Sequence, residues 1–322
     1  SCIAISKDDQ LLAIGERGHK PRITLWSIAL NAIIITLSYH DHGVGTLAFS
    51  PNNRFLVSVG FKHDKRLALW DLNKMNINDL LTDLCNETPS ASKNIDLESI
   101  KPVHERKLGN KVHCVTFCPR GTYFVTGGER HIKYWHLHLD KISGTCETLT
   151  GKSAMVITRL SESTFMDVLI ASSYRETDVS GKESKHIEDV IYVASSDGIL
   201  CSFWENGILD KWVTIETDTC YSIALYTPPE SSVTGTITAT SPTLTPSKSV
   251  VLVGCAEGVI RAFYTVSLQY VSTLPLPAPL NKHSEPESLR YGACYGLTVL
   301  QSERGRGIPY VAAAYGDRSM FI

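Results

Sequence analysis

Short blocks of Val, Ile, Leu, Phe and Tyr recur along this chain, each closed by a cluster of Gly, Asp, Asn or Pro. The stretch from Val112 to Trp135 shows the plan: VHCVTFC, a Pro-Arg-Gly turn, YFVTGG, a Glu-Arg turn, then HIKYW. Short apolar blocks bounded by turn residues predict β-strands. The same plan reads upstream as CIAISKDDQLLAIGE then RITLWS, and as VGTLAFSPNNRFLVSVG then RLALWD. Downstream it reads as VIYVASSDGILCSFW, VVLVGCAEGVIRAFY and YVAAAYGDRSMFI. Alternation within the blocks is imperfect, which predicts strands buried on both faces between stacked sheets. Only NDLLTDL, from Asn78 to Leu84, reads as a short helix.

An aromatic residue ends the third strand of each unit, at Trp26, Trp70, Trp135, Phe203 and Phe263. The spacings are 44, 65, 68 and 60 residues. A four-stranded repeat of this kind takes about 40–45 residues, so each of the longer cycles carries about 20 more. Insertions are expected at 72–102, 172–188, 227–249 and 275–293. The first falls between third and fourth strands, the next two between first and second strands, and the last between two units. The segment 227–249, TPPESSVTGTITATSPTLTPSKS, has almost no large apolar residue, a composition that does not pack. It holds Thr227-Pro228, Ser241-Pro242 and Thr245-Pro246, so Thr227, Ser241 and Thr245 are candidate sites for a proline-directed kinase. The competing reading is a biased loop in which such dipeptides arise by chance.

The wording AFSPNN at 48–53, LWD at 69–71 and Gly18-His19 resembles that of WD40 repeats. The ordered succession GERGHKPRITLW, VSVGFKHDKRLALWD, YFVTGGERHIKYWHL, SSDGILCSFWENGILDKW and VGCAEGVIRAFYTVSLQYVSTLPLP goes further. It resembles the first propeller of the mitogen-activated protein kinase-binding protein 1 family, which includes a spindle-pole and centrosome scaffold associated with microcephaly. The resemblance implies an all-β WD40 β-propeller, one domain over 1–322 and a fragment of a longer protein. Six blades' worth of strands from a ring of seven are expected, with a closed six-bladed ring as the alternative. Family members carry a further unit upstream, a second propeller, and a tail with kinase-docking and dimerisation segments. Any oligomerisation is therefore expected through regions outside this chain.

Charge and composition narrow the chemistry. The chain has 322 residues with a formal net charge of -2, which gives no basic footprint for DNA. No apolar run is long enough for a membrane span, and SCIAISKDDQ lacks the pattern of a signal peptide. Nine cysteines, scattered and often inside apolar blocks, suit free thiols in a reducing compartment. With the resemblance, this implies a cytoplasmic chain at the cytoskeleton, spindle pole or centriole. CETLTGKS, from Cys146 to Ser153, ends like a phosphate-binding loop, but Cys146 stands where that motif needs glycine, so a turn is expected. His136 and His138 could share a strand face, yet no Cys-x-x-Cys or carboxylate completes a zinc set. No metal and no cofactor are expected. KHDKRLALW, from Lys62 to Trp70, looks like a kinase-docking peptide but reads as a blade strand.

Binding is what remains. Turns between second and third strands are expected to line the top rim and the channel mouth. Asp64, Asp197 and Asp317 there are expected to bond their own turns. His40 or His42 is expected to join an Asp-centred network of the WD-repeat type. Arg17, Arg130 and His131 have less structural reason to be there, and Arg is a frequent interface anchor. With His19, His63 and Arg318 they form the candidate partner-binding set. The expected function is a non-enzymatic protein–protein scaffold for kinase signalling or a spindle-pole, centriole or basal-body assembly. The alternatives are a propeller enzyme with a channel site and a phosphoinositide- or nucleic-acid-binding propeller.

Overall fold

The computed structural model describes residues 2–75, 77, 100–179, 182–228, 249–274, 292–300 and 310–322, with the side chains of 173–179 and 182–187 left aside. These residues form six antiparallel sheets in chain order. The first holds β1 (Cys2–Ile5), β2 (Leu11–Gly15), β3 (Arg22–Ser27) and β4 (Ala32–Ser38). The second holds β5 (Val44–Phe49), β6 (Phe55–Gly60), β7 (Arg66–Asp71) and β8 (His104–Lys107). The third holds β9 (Val112–Phe117), β10 (Tyr123–Gly128), β11 (His131–Leu139) and β12 (Cys146–Ser153). The fourth holds β13 (Phe165–Val179), β14 (Lys182–Ser195), β15 (Ile199–Trp204) and β16 (Leu209–Thr214). The fifth holds β17 (Cys220–Tyr226), β18 (Val250–Cys255), β19 (Ile260–Tyr264) and β20 (Tyr270–Leu274). The sixth holds β21 (Cys294–Leu300), β22 (Tyr310–Tyr315) and β23 (Met320–Phe321).

The chain divides into two compact units, Ser1–Phe165 and Met166–Ile322. In the first unit, two apolar layers lie between successive blades. One joins Leu25, Leu37 and Val44 to Trp70, and the other joins Leu67 and Leu69 to Val115, Phe124 and Trp135. In the second unit, Tyr192, Leu200, Val251 and Phe263 form one layer, and Leu252, Ala262, Ala313 and Tyr315 the next. Central strands therefore touch a neighbour on each face. β6 and β10 are buried at every residue, which is why their sequences do not alternate. Outermost strands have no such cover: β20 is exposed at four of five positions.

The aromatic ruler falls in register. Trp26, Trp70, Trp135, Phe203 and Phe263 face Leu12, Leu56, Phe124, Ile191 and Val251 across the second and third strands. One expectation needs correction. Cys146–Ser153 is not a turn but the fourth strand of its blade, and its Gly151 lies directly opposite Trp135. A Cβ there would stand 2.8 Å from the indole ring, so glycine serves close packing, not phosphate. The 172–188 stretch is mostly strand, the continuation of β13 and β14. The expected helix at Asn78–Leu84 lies outside the described residues.

Candidate functional site

The turns between second and third strands share a backbone feature. Each places one residue in the left-handed region just before the third strand. In blades two to six these residues are Lys65 (φ 49), Arg130 (φ 48), Gly198 (φ 65), Gly258 (φ 80) and Arg318 (φ 72). The longer turn of blade one has Lys20 at φ 50. Hydrogen bonds show that Gly258 and Arg318 are equivalent. Gly258 N–H donates to Cys255 O at 3.1 Å, and Arg318 N–H donates to Tyr315 O at 3.0 Å. A side chain costs about 1–2 kcal/mol in this conformation, which glycine avoids. Four of the six turns nonetheless carry Lys or Arg there, and all four side chains are exposed.

Arg17 lies over the Phe61 ring, 5.2 Å from its centroid. His19, His42 and His63 are exposed neighbours: the ring of His42 is 6.2 Å from that of His19 and 6.3 Å from that of His63. Arg130 pairs with Glu162 at 3.4 Å in an exposed contact of little energetic weight. Arg318 projects from its turn, whose Asp317 accepts the hydroxyl and the backbone N–H of Ser319 at 2.6 and 2.9 Å. Those bonds hold the Asp317 carboxyl below the usual range.

His131 is different. Its Nε2 shares a hydrogen bond with Thr126 Oγ1 at 2.8 Å, and Trp135 Nε1–H donates to the same oxygen at 2.9 Å. Burial pushes this imidazole down to about 4, with Lys133 a lesser cause. The ring is thus engaged inside the third blade. In the second blade, the Asp-centred network uses His40 and not His42. The Nδ1–H of His40 donates to Asp64, its Nε2 meets Ser58 Oγ at 2.8 Å, and Trp70 Nε1–H donates to that oxygen at 3.0 Å. Gly60 leaves room for the Asp64 carboxylate, which a Cβ would overlap. Asp71 is equally enclosed, receiving both Nε–H and Nη2–H of Arg54 at 3.3 and 3.1 Å.

In the second unit, a groove of about 480 Å³ runs along Val213, Ile215, Phe263 and Tyr270, with Arg261 and Glu216 at its polar side. Trp212 and Tyr270 beside it are exposed. Composition gives no cue to it. Burial pushes the Asp167 carboxyl up to about 6, but it accepts the N–H groups of Ile223 and Val168, each at 2.9 Å. It ties the first strands of blades four and five together. Thr227 follows β17, while Ser241 and Thr245 lie outside the described residues. Among the described residues, no group of three or more His, Cys, Asp or Glu is placed to hold a metal ion. None of their helices is long and apolar enough to cross a membrane.

The family model "WD domain, G-beta repeat" matches residues 31–71 and 101–136. Mitogen-activated protein kinase-binding protein 1 of Mus musculus is 29% identical over 335 residues, covering 100% of this chain and 18% of that protein. Cilia- and flagella-associated protein 52 of Mus musculus is 32% identical over 162 residues, covering 49% of this chain and 23% of that protein. The chain therefore spans less than a quarter of the length of these relatives. Among solved structures, the Cps50 (Swd1) β-propeller domain of Myceliophteria thermophila superposes with a TM-score of 0.55 at 15% identity, over 98% of this chain and 80% of that one. That likeness establishes the fold alone. The chain belongs to the WD40-repeat β-propellers, with whole-length homology to mitogen-activated protein kinase-binding protein 1.

Proposed function

We propose that this chain is a non-enzymatic platform for protein partners, one propeller domain over 1–322 of a cytoplasmic scaffold. The observation that carries this reading is the set of exposed cations at left-handed turn positions, Lys20, Lys65, Arg130 and Arg318. Glycine would suit the backbone there, so the turn conformation does not call for a long cation; Lys65 Nζ donates to Gly109 O at 3.0 Å and Arg130 pairs with Glu162 at 3.4 Å, while Lys20 and Arg318 offer their donors to the surface. Arg17, held over Phe61, adds a pre-oriented guanidinium in the first unit, and His19 and His63 lie beside it in the turns of blades one and two. His131 supports this surface from inside the blade. One relative is named for binding a mitogen-activated protein kinase and another for association with cilia and flagella. Those names support a role in kinase signalling or in a cytoskeletal assembly of the centrosome, spindle pole or basal body. Thr227, Ser241 and Thr245 would be phosphorylated in such a setting, and phosphopeptide mass spectrometry of the native protein tests that directly.

The platform is tested by affinity purification from cells of the parent protein and of the variant Arg130→Gly, Arg318→Gly. Glycine keeps both turns, so the variant stays folded and loses only the guanidinium groups. Depletion of rim-dependent partners is expected. An unchanged partner set would remove the rim arginines from recognition.

A further inference from the structure

The rim of blades one and two differs from the rest in how its charges are used. Three carboxylates lie there, each with a partner in the fold, although only that of Asp64 is enclosed. Glu16 Oε2 accepts the Arg22 N–H at 3.0 Å. Asp41 pairs with Arg66 at 3.2 Å. Asp64 has a side chain without solvent exposure and receives His40. Lys65 is engaged too, its Nζ donating to Gly109 O at 3.0 Å, but three exposed cations have no such partner. Arg17 rests on Phe61, and Lys20 and Lys62 project from the two turns with no ion pair among the described residues. Between those turns stand His19, His42 and His63, all exposed.

Spacing adds shape to this charge. His42 comes from the connection between β4 and β5, while His19 and His63 come from the turns on either side. The ring-to-ring steps of 6.2 and 6.3 Å lie close to the repeat of an extended peptide, in which residues i and i+2 point the same way about 6.8 Å apart. Alternate side chains of an extended strand would therefore meet successive imidazoles, with Arg17, Lys20 and Lys62 flanking the row. Two successive steps of more than 6 Å fit a run of carboxylates better than one compact phosphate.

We infer that the rim of blades one and two is a docking surface for an extended, Asp/Glu-rich segment of a partner protein. The inference rests on the platform reading and names the chemistry of one of its partners. Carboxylates at alternate positions contact the imidazole N–H groups of His19, His42 and His63, and the flanking cations supply the longer-range attraction.

Fluorescence anisotropy with synthetic nonapeptides tests it. The probes carry Glu at alternate positions, Gln at the same positions, or a single phosphoserine, and a single-stranded RNA of equal charge is the fourth. The Glu peptide is expected to bind about tenfold more tightly than the Gln peptide, and to weaken as salt is raised. Two variants are compared with the parent, Arg17→Gln/Lys20→Gln/Lys62→Gln and His19→Gln/His42→Gln/His63→Gln. All six side chains are exposed, and circular dichroism checks the fold of each. Each variant is expected to lose at least about fivefold in affinity for the Glu peptide. Equal affinity for Glu and Gln peptides overturns the inference, as does tighter binding of the phosphoserine peptide or the RNA. Binding indifferent to both variants overturns it too. If the Glu peptide fails while the Arg130→Gly, Arg318→Gly protein still loses cellular partners, the platform stands and the acidic-segment chemistry falls.

Discussion

Blades two and three solve one packing problem in two ways. Each buries a tryptophan whose indole N–H needs an acceptor, and each supplies a hydroxyl, Ser58 or Thr126. In blade two the hydroxyl is held by His40, which reaches in from the connection that precedes the blade and is held in turn by Asp64. In blade three Leu108 stands at the position of His40, four residues before the first pair of the ladder, and the turn has only Glu129 and Arg130. The blade then draws an imidazole from its own third strand, His131. The difference lies in reach and charge. Blade two binds the connection that precedes it through a carboxyl partner. Blade three closes on itself with a ring that has no carboxylate hydrogen-bonded to it among the described residues.

That contrast can be broken from several sides. Asp64→Ala leaves the His40 N–H and the Asp41 N–H without their acceptor and is expected to cost about 3 kcal/mol or more, since two enclosed donors are orphaned together. Glu129→Ala in blade three is expected to cost about 0.5 kcal/mol or less, as at ordinary surface sites. Urea unfolding at pH 7.5 measures both, and similar costs would erase the distinction.

Acid should strike blade three through His131. Its folded value near 4 lies below the ordinary imidazole value, so the unfolded chain binds the extra proton as pH falls from 6.5 towards 4. The stability from this group is complete above 6.5 and is lost through that window, by roughly 3 kcal/mol at most. His131→Gln keeps a partner for Thr126 but does not titrate. The fall in urea midpoint between pH 7 and pH 4.5 should shrink in this variant.

Smaller effects come from the hydroxyls and the turns. Thr126→Val orphans the Trp135 N–H and the His131 Nε2, of which the imidazole is only half-buried, and is expected to cost about 1–3 kcal/mol. Ser58→Ala orphans both Trp70 and His40 and should lie at or above the top of that range. Smallest of all, Arg130→Gly and Arg318→Gly should stay within about 1 kcal/mol of the parent, on the stabilising side, because glycine relieves the left-handed turn. Thermal unfolding gives the sign. A clear loss would mean these arginines support the fold.

Much of the architecture was legible in the residues. The third-strand aromatics and the turn clusters place five of the six sheets, since short apolar blocks between turn residues leave few other folds. Asp64 could be assigned to structure because acidic turn residues bond locally, and His40 was one of two residues named for its network. His131 was not legible as a packing residue. The expected imidazole comes from the connection before a blade, and only the contacts show that Leu108 has taken that place. The left-handed cations were also hidden, because a two-residue register of φ has no compositional mark unless glycine occupies it. Cys146–Ser153 misled in the opposite direction, since Gly-Lys-Ser is common wording for a phosphate loop while here the glycine answers to an indole.

Gly151 has a consequence for how a blade communicates. It sits on the outermost strand, against the face of Trp135, whose other end holds Thr126 and through it His131 at the rim. A methyl group at 151 would push the indole, and the indole cannot tilt without moving the hydroxyl. The outer edge of the blade is thereby geared to the turn between its second and third strands, and a perturbation applied at the flank would be felt there.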